Sequence, residues 1–108
     1  MSRRYAAKVD SNQAEIVKAL RQMGCTVECL HAVGSGVPDL LVGLNGMNLL
    51  LEVKDGSKAR SQQKLTIDQI LWHDEWGGQV QIVKSVEHAV RIVNHYRRWA
   101  EIIPSSVD

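Results

Sequence analysis

The chain contains no phenylalanine, and aromatic residues fill only 5% of its 108 positions, so packing must come from Leu, Ile and Val, with three Trp in support. A chain of this length suits one domain around one core. No apolar run approaches the ~18 residues that a membrane span needs, which excludes a transmembrane helix on sequence grounds. The basic residues of Met1-Ser2-Arg3-Arg4-Tyr5 are followed by no apolar stretch. That argues against a signal peptide and makes the cytoplasm the expected compartment. Cysteine is scarce. Cys25 and Cys29 have no second Cys or His pair at matching spacing, so a structural zinc site is not expected. They read as buried or half-buried free thiols in a reducing compartment. Nor is one sign of charge in excess: the formal net charge is +1, and bulk electrostatics does not announce a nucleic-acid binder.

The clearest positive signal is local. Asn45-Gly46 interrupts an apolar segment, and this dipeptide is the strongest short-range mark of a two-residue hairpin turn. With Asn45 and Gly46 as the turn, Leu44 pairs with Met47, and position 39 faces position 52. Asp39 and Glu52 then lie across from each other on one side of the sheet, with Cβ atoms about 5 Å apart, where like charges are destabilising unless compensated. Lys54 points to the same side as Glu52. The natural compensator for two clustered carboxylates is a divalent cation with oxygen ligands, Mg²⁺ or Mn²⁺. A surface hairpin with solvated cross-strand ion pairs is the plainer alternative. Leu41 and Leu50 on the same side argue for a partly buried site instead.

The remaining pattern gives the order α-β-β-β-α-β-α. A first helix is expected from Ser11 or Asn12 to Met23, with Ile16, Leu20 and Met23 on its buried side and Gly24 as its stop. Cys25 to His31 reads as a strand, and Ala32 to Gly36 as a Gly/Ser loop. Val37–Leu44 and Met47–Lys54 form the hairpin, with Pro38 tolerated near a strand start. Leu40, Val42 and Leu44 share one layer with Leu49, Leu51 and Val53. Apolar Leu41 and Leu50 on the other side predict helices flanking both faces. After a polar loop over 55–64, Thr66 reads as the N-cap of a helix to Glu75 or Trp76, with Gln69 at capping-box spacing. Gln79–Lys84 is a strand parallel to its predecessor, because a helical crossover joins them. Ser85 caps a last helix to about Ala100, with Val86, Ala89, Val90 and Val93 facing inward. Residues 1–10 read as a basic arm and 103–108 as a frayed tail.

Pro-Asp in Gly36-Val37-Pro38-Asp39-Leu40-Leu41-Val42, Glu-x-Lys in Leu51-Glu52-Val53-Lys54, and Leu65-Thr66-Ile67-Asp68-Gln69, set on this order of elements, resemble the PD-(D/E)xK nuclease superfamily. Within it the chain looks like the VRR-NUC group in its standalone phage and prophage form, near the archaeal-type Holliday junction resolvases. The resemblance spans residues 12–93. It implies a restriction-endonuclease-like α/β core with a mixed central sheet flanked by helices. It also implies an endonuclease that hydrolyses phosphodiester bonds in branched or structured DNA. Asp39, Glu52 and the backbone carbonyl of Val53 are then ligands of Mg²⁺ or Mn²⁺, which would activate water and clamp phosphate oxygens. Lys54 neutralises transition-state charge or positions the water. Glu15 matches the family's helix-one carboxylate near the metal, although it could equally close a capping box with Asn12. Gln69 points toward the site in relatives and can also cap its own helix.

Lys58, Arg60 and Lys64 follow directly after the metal motif, where phosphate contacts would set affinity and salt dependence. Ser35 and Gly36 could let a DNA backbone approach closely, or only form a turn. His31, His73, His88 and His95 lie on different elements and read as surface or interface residues; His73, four after Gln69, is the most suspect. Trp72, Trp76 and Trp99 read as core or dimer-interface side chains. A homodimer is expected, since one domain carries one site and junctions present paired strands. The competing readings are a nuclease-fold module that binds DNA or a partner without cutting, and a restriction-type or RNA-directed nuclease.

Overall fold

The structure, a computed structural model, describes residues 9–102. The expected arm up to position 8 and the tail from 103 lie outside the described residues. In chain order the elements are α1 (Gln13–Gln22), β1 (Thr26–Cys29), β2 (Leu40–Leu44), β3 (Met47–Val53), α2 (Arg60–Gln63), α3 (Ile67–Glu75), β4 (Val80–Val83) and α4 (Val86–Ile102). This is the expected order with one short helix, α2, inserted in the polar loop.

The sheet has four strands in the order β1-β2-β3-β4. β1–β2 and β2–β3 are antiparallel, while β3–β4 is parallel after the crossover through α3, so the sheet is mixed. Leu44 pairs with Met47 and Leu40 with Leu51, the register that Asn45-Gly46 dictates. Both turn residues are left-handed, Asn45 at φ 50° and Gly46 at φ 79°, as a type I′ hairpin turn requires. The ladder starts at Leu40 rather than Val37. Val37, Pro38 and Asp39 lead into it, and Leu30 N–H donates to the Asp39 carbonyl at 2.7 Å.

The two faces of the sheet are covered unequally. Leu40, Val42, Leu49, Leu51, Val53 and Val83 pack in one cluster with Ile16, Val17 and Leu20 of α1 and Ala89 and Val93 of α4. Each such side chain contributes about 1.5–3 kcal/mol on burial. α1 stops where Gly24 turns left-handed at φ 97°, and Cys25 N–H reaches back to the Leu20 carbonyl. Arg97 ties α4 to this end by donating to the Met23 carbonyl at 3.0 Å. α3 lies on the opposite face, and none of its residues is fully buried; Ile67, Ile70 and Leu71 are exposed. The expectation of helices on both sides is met in placement, but only α1 and α4 seal a core.

Three expectations are corrected. Cys25 is buried, but Cys29 sits at the end of edge strand β1 and is exposed. Trp76 and Trp99 are about half exposed, which overturns the core half of their expected core-or-interface role; Trp72 stacks on Trp76 with ring centroids 4.7 Å apart. Asn12 makes no side-chain cap for α1, so no capping box with Glu15 forms. Its Nδ2 donates instead to the Lys54 and Lys84 carbonyls, both at 3.2 Å, joining the ends of two strands to the helix start.

Candidate active site

Side chains alternate along β3, so Leu51 and Val53 enter the core while Glu52 turns to the opposite face. The same alternation through buried Leu40 puts Asp39 on that side too. Asp39 is 5% exposed, Glu52 2% and Lys54 7%. Three ionisable groups are therefore withdrawn from water within one strand-end cluster, which is costly for any charged form that is not compensated. Asp39 Oδ2 accepts from Val53 N–H at 2.7 Å, fixing the carboxylate at the end of the ladder. A strand residue turns its N–H and C=O toward the same neighbour, so the Val53 carbonyl faces the Asp39 side as well.

α3 delivers the next side chain. Thr66 and Gln69 form a complete capping box: the Thr66 hydroxyl accepts from Gln69 N–H at 3.2 Å, and Gln69 Oε1 accepts from Thr66 N–H at 2.9 Å. The same amide enters the charged cluster. Its Oε1 also accepts from Lys54 Nζ at 2.9 Å, and its Nε2 donates to Glu52 Oε2 at 3.2 Å. Both readings of Gln69 thus hold together geometrically. α3 can come this close because Gly36, left-handed at φ 83°, lies against its first turn; a Cβ there would overlap the Asp68 carbonyl. Gly36 is packed on this side against protein backbone. Ser35 beside it is exposed, with φ 57°.

Electrostatics follows from this packing. Burial, then the hydrogen-bonded proximity of Asp39 and its negative charge, push the Glu52 carboxyl up to about 9, outweighing the attraction of Lys54. Glu52 therefore favours its protonated form in the protein alone. Glu52 Oε1 is buried and has no hydrogen-bond partner.

Not every expected residue joins the cluster. Glu15 is exposed, in a cleft lined by Asn12, Asp55, Lys84 and Glu87, away from Asp39 and Glu52. It is not placed to share a metal with them, because α1 presents Gln13, Ile16 and Val17 inward and turns position 15 out. Asp10 lies near enough for its charge to oppose ionisation of Glu52, and its Oδ1 lies 3.4 Å from Lys58 Nζ. Nothing in the local spacing marks Asp10; only the return of the 55–58 loop brings Lys58 to it. Lys58 is half-buried through this pair, while Arg60 and Lys64 are exposed.

His73 joins the cluster instead of lying on the surface. It follows Gln69 by one turn on the same side of α3, and that spacing is its only sequence signal. Its Nε2 is 3.9 Å from Glu52 Oε1. Burial and the Lys54 charge hold the imidazole below the ordinary histidine range. His88 Nδ1 accepts from Lys84 N–H at 3.2 Å, away from this cluster.

An unpartnered buried carboxylate oxygen, a second carboxylate beside it and a carbonyl on the same side form an oxygen-rich donor set that suits a hard divalent cation. Among the described residues no group of three or more His, Cys, Asp or Glu side chains is disposed to hold a metal ion. A cation here would rest on two carboxylates and complete its shell with backbone oxygen and water. No protein-family model matches the chain, and neither the curated proteins nor the solved structures contain a match to it. No helix among the described residues is long and apolar enough to cross a membrane.

Proposed function

We propose that this chain is a metal-dependent DNA endonuclease of the PD-(D/E)xK superfamily, of the VRR-NUC type, hydrolysing phosphodiester bonds in branched or structured DNA. One observation supports it most: buried Asp39 and Glu52 meet beside Lys54, and Gln69 bonds to both Lys54 and Glu52. A buried Glu52 held toward its protonated form has no evident benefit to folding, whereas perturbed carboxylates cluster at working sites.

Asp39, Glu52 and the Val53 carbonyl would hold Mg²⁺ or Mn²⁺. Bound there, the ion would lower the pKa of a water and offset charge developing on the phosphate oxygens. The chain's own groups do the rest. Lys54 gives one of its three N–H donors to Gln69 and directs its charge at the acid pair, where a scissile phosphate would sit. Gln69 sets the orientation of both Lys54 and Glu52, so the ammonium and carboxylate stay aligned without closing into a direct ion pair. Lys58, Arg60 and Lys64 form a basic edge after β3 for phosphate contacts that read no sequence. A symmetric pair of subunits would bring two such sites to opposed strands of a junction.

The test is cleavage of a four-way junction, flaps, linear duplex, supercoiled plasmid and single-stranded RNA with Mg²⁺, Mn²⁺ or EDTA. Metal-dependent cutting of the branched DNAs is expected, and Asp39→Ala or Glu52→Ala should abolish it while leaving the far-ultraviolet spectrum intact. The absence of a three-residue ligand group among the described residues favours a second reading, a nuclease-fold module that binds DNA or a partner without cutting. Binding of the junction without cleavage in either metal would select that module. Preferential cutting of RNA would select an RNA-directed enzyme. Light scattering behind size exclusion should give twice the chain mass; a monomer at micromolar concentration would remove the paired-site arrangement.

A further inference from the structure

The cap of α3 and the charged cluster share one side chain. Gln69 Oε1 accepts from Thr66 N–H and from Lys54 Nζ, each at 2.9 Å, which uses both lone pairs of that oxygen. Gln69 Nε2 donates to Glu52 Oε2 at 3.2 Å. Turned over, the amide would set its own N–H groups against the Thr66 N–H and the Lys54 ammonium, donor against donor. The cap and the lysine thus choose the same orientation, and that orientation aims the amide nitrogen at Glu52.

A helix start alone does not ask for glutamine at position 69. Glutamate closes a capping box equally well, and an acid in the first turn is favoured by the helix dipole. Glutamate, however, has no N–H to give Glu52 and would set a third carboxylate beside Asp39 and Glu52. The amide nitrogen therefore serves the cluster, and the amide oxygen serves cluster and cap together. Lys54 and Gln69 have flexible side chains that are costly to order, and α3 contributes no fully buried residue to hold them. Polar anchoring must do so. Thr66 supplies it: its hydroxyl accepts from Gln69 N–H at 3.2 Å and pins the backbone at position 69 to the N-cap. Thr66 is itself exposed, so removing its hydroxyl opens no buried cavity.

We propose that Thr66 is a positioning residue for hydrolysis: through Gln69, its hydroxyl fixes where the Lys54 ammonium and the Glu52 carboxyl stand relative to each other. This rests on the nuclease reading, and adds to it a residue that acts without touching the reacting atoms.

The experiment measures kcat and KM on a four-way junction with Mg²⁺ or Mn²⁺, using the full chain and its variants. Thr66→Val, which keeps the shape and removes the hydroxyl, should lower kcat by about 5- to 30-fold with KM within about twofold of wild type. Thr66→Ser should restore kcat to within about threefold. Gln69→Glu should keep the first turn of α3 protected from hydrogen exchange and still lose kcat. Adding Thr66→Val to Gln69→Ala should lower kcat no further, because Thr66 acts only through that side chain. In the protein without metal, ¹⁵N relaxation should show the Gln69 side-chain amide rigid in wild type and mobile in Thr66→Val. An amide already mobile in wild type would overturn the proposal, as would full additivity in the double variant. A loss confined to KM would overturn it too, by making Thr66 a direct DNA contact. Wild-type cleavage matched by Thr66→Val would overturn it and leave the nuclease reading standing. No cleavage by the wild type in either metal would overturn both.

Discussion

Replacing Glu52 by glutamine should make the metal-free protein more stable, and increasingly so as pH rises. Glu52 is 2% exposed and shares its burial with Asp39, which raises its carboxyl from an ordinary 4.5 to about 9. The folded chain therefore holds a proton that the unfolded chain releases above about pH 4.5. For a group raised on folding, its contribution to stability is complete below the unfolded value and is lost as pH climbs to the folded one. The slope is ~1.4 kcal/mol per pH unit, so the loss reaches on the order of 4 kcal/mol by about pH 7.5. That is a large share of the ~5–15 kcal/mol typical of a domain. His73 and His88, both lowered on folding, act with the opposite sign. Their contribution grows as pH rises and is complete above the ordinary histidine value of 6.5, leaving the window from about 7 to 9 to Glu52. Urea unfolding in EDTA across that window should show wild type losing stability while Glu52→Gln stays level. Saturating Mn²⁺ should restore the wild type, because a cation replaces the proton, and leave the variant little changed. Parallel pH profiles for the two proteins would refute the picture of a protonated buried acid pair.

Glu15→Ala should leave cleavage and Mn²⁺ affinity within about twofold of wild type, since position 15 faces away from the acid pair; a large loss in either assay would return it to the site. Gly36→Ala should cost roughly 2–3 kcal/mol in urea unfolding and depress cleavage further than its stability loss explains, because the new Cβ overlaps the Asp68 carbonyl and pushes α3 away. Removing exposed Arg60 and Lys64 together should weaken DNA binding across all sequences. It should also flatten the dependence of log affinity on log salt by about 0.9 for each phosphate no longer neutralised. An unchanged slope would place the DNA elsewhere.

Where local chemistry sets geometry, the sequence is readable. Asn45-Gly46 fixes the hairpin register because two left-handed residues in succession suit only a few turn types, and that register alone puts Asp39 and Glu52 on one side. Thr66 and Gln69 announce their helix start through a pattern three residues long. The run of apolar residues in β3 marks it as interior. What cannot be read depends on the meeting of distant segments. Asp10 pairs with Lys58 only because the 55–58 loop returns to the start of α1. Glu15 misses it because the orientation of α1 about its axis is set by packing of Ile16, Val17 and Leu20, which turns position 15 outward. Cys29 has the same apolar character as Cys25, yet it lies at the end of an edge strand where the sheet no longer covers it. Size alone favours an interior place for the tryptophans, but α3 docks through polar side chains and leaves its large apolar residues out.

That mode of docking has a physical consequence for the proposed site. α1 and α4 are held by apolar burial, which is indifferent to charge. α3 is held at the site by Gln69 to Lys54 and Glu52, and by backbone packing at Gly36, with no fully buried side chain of its own. The position of α3 and the ionisation of the acid pair are consequently two views of one equilibrium. Glu52 Oε1 is left without a partner in the protein alone, whereas a cation would engage both carboxylates. The helix that carries the aligning amide has no fully buried side chain in the core, so binding at the site is what would fix its place. The repulsion between the two acids acts on the far face of β3 from the cluster that α1 and α4 seal, so it does not press on that core.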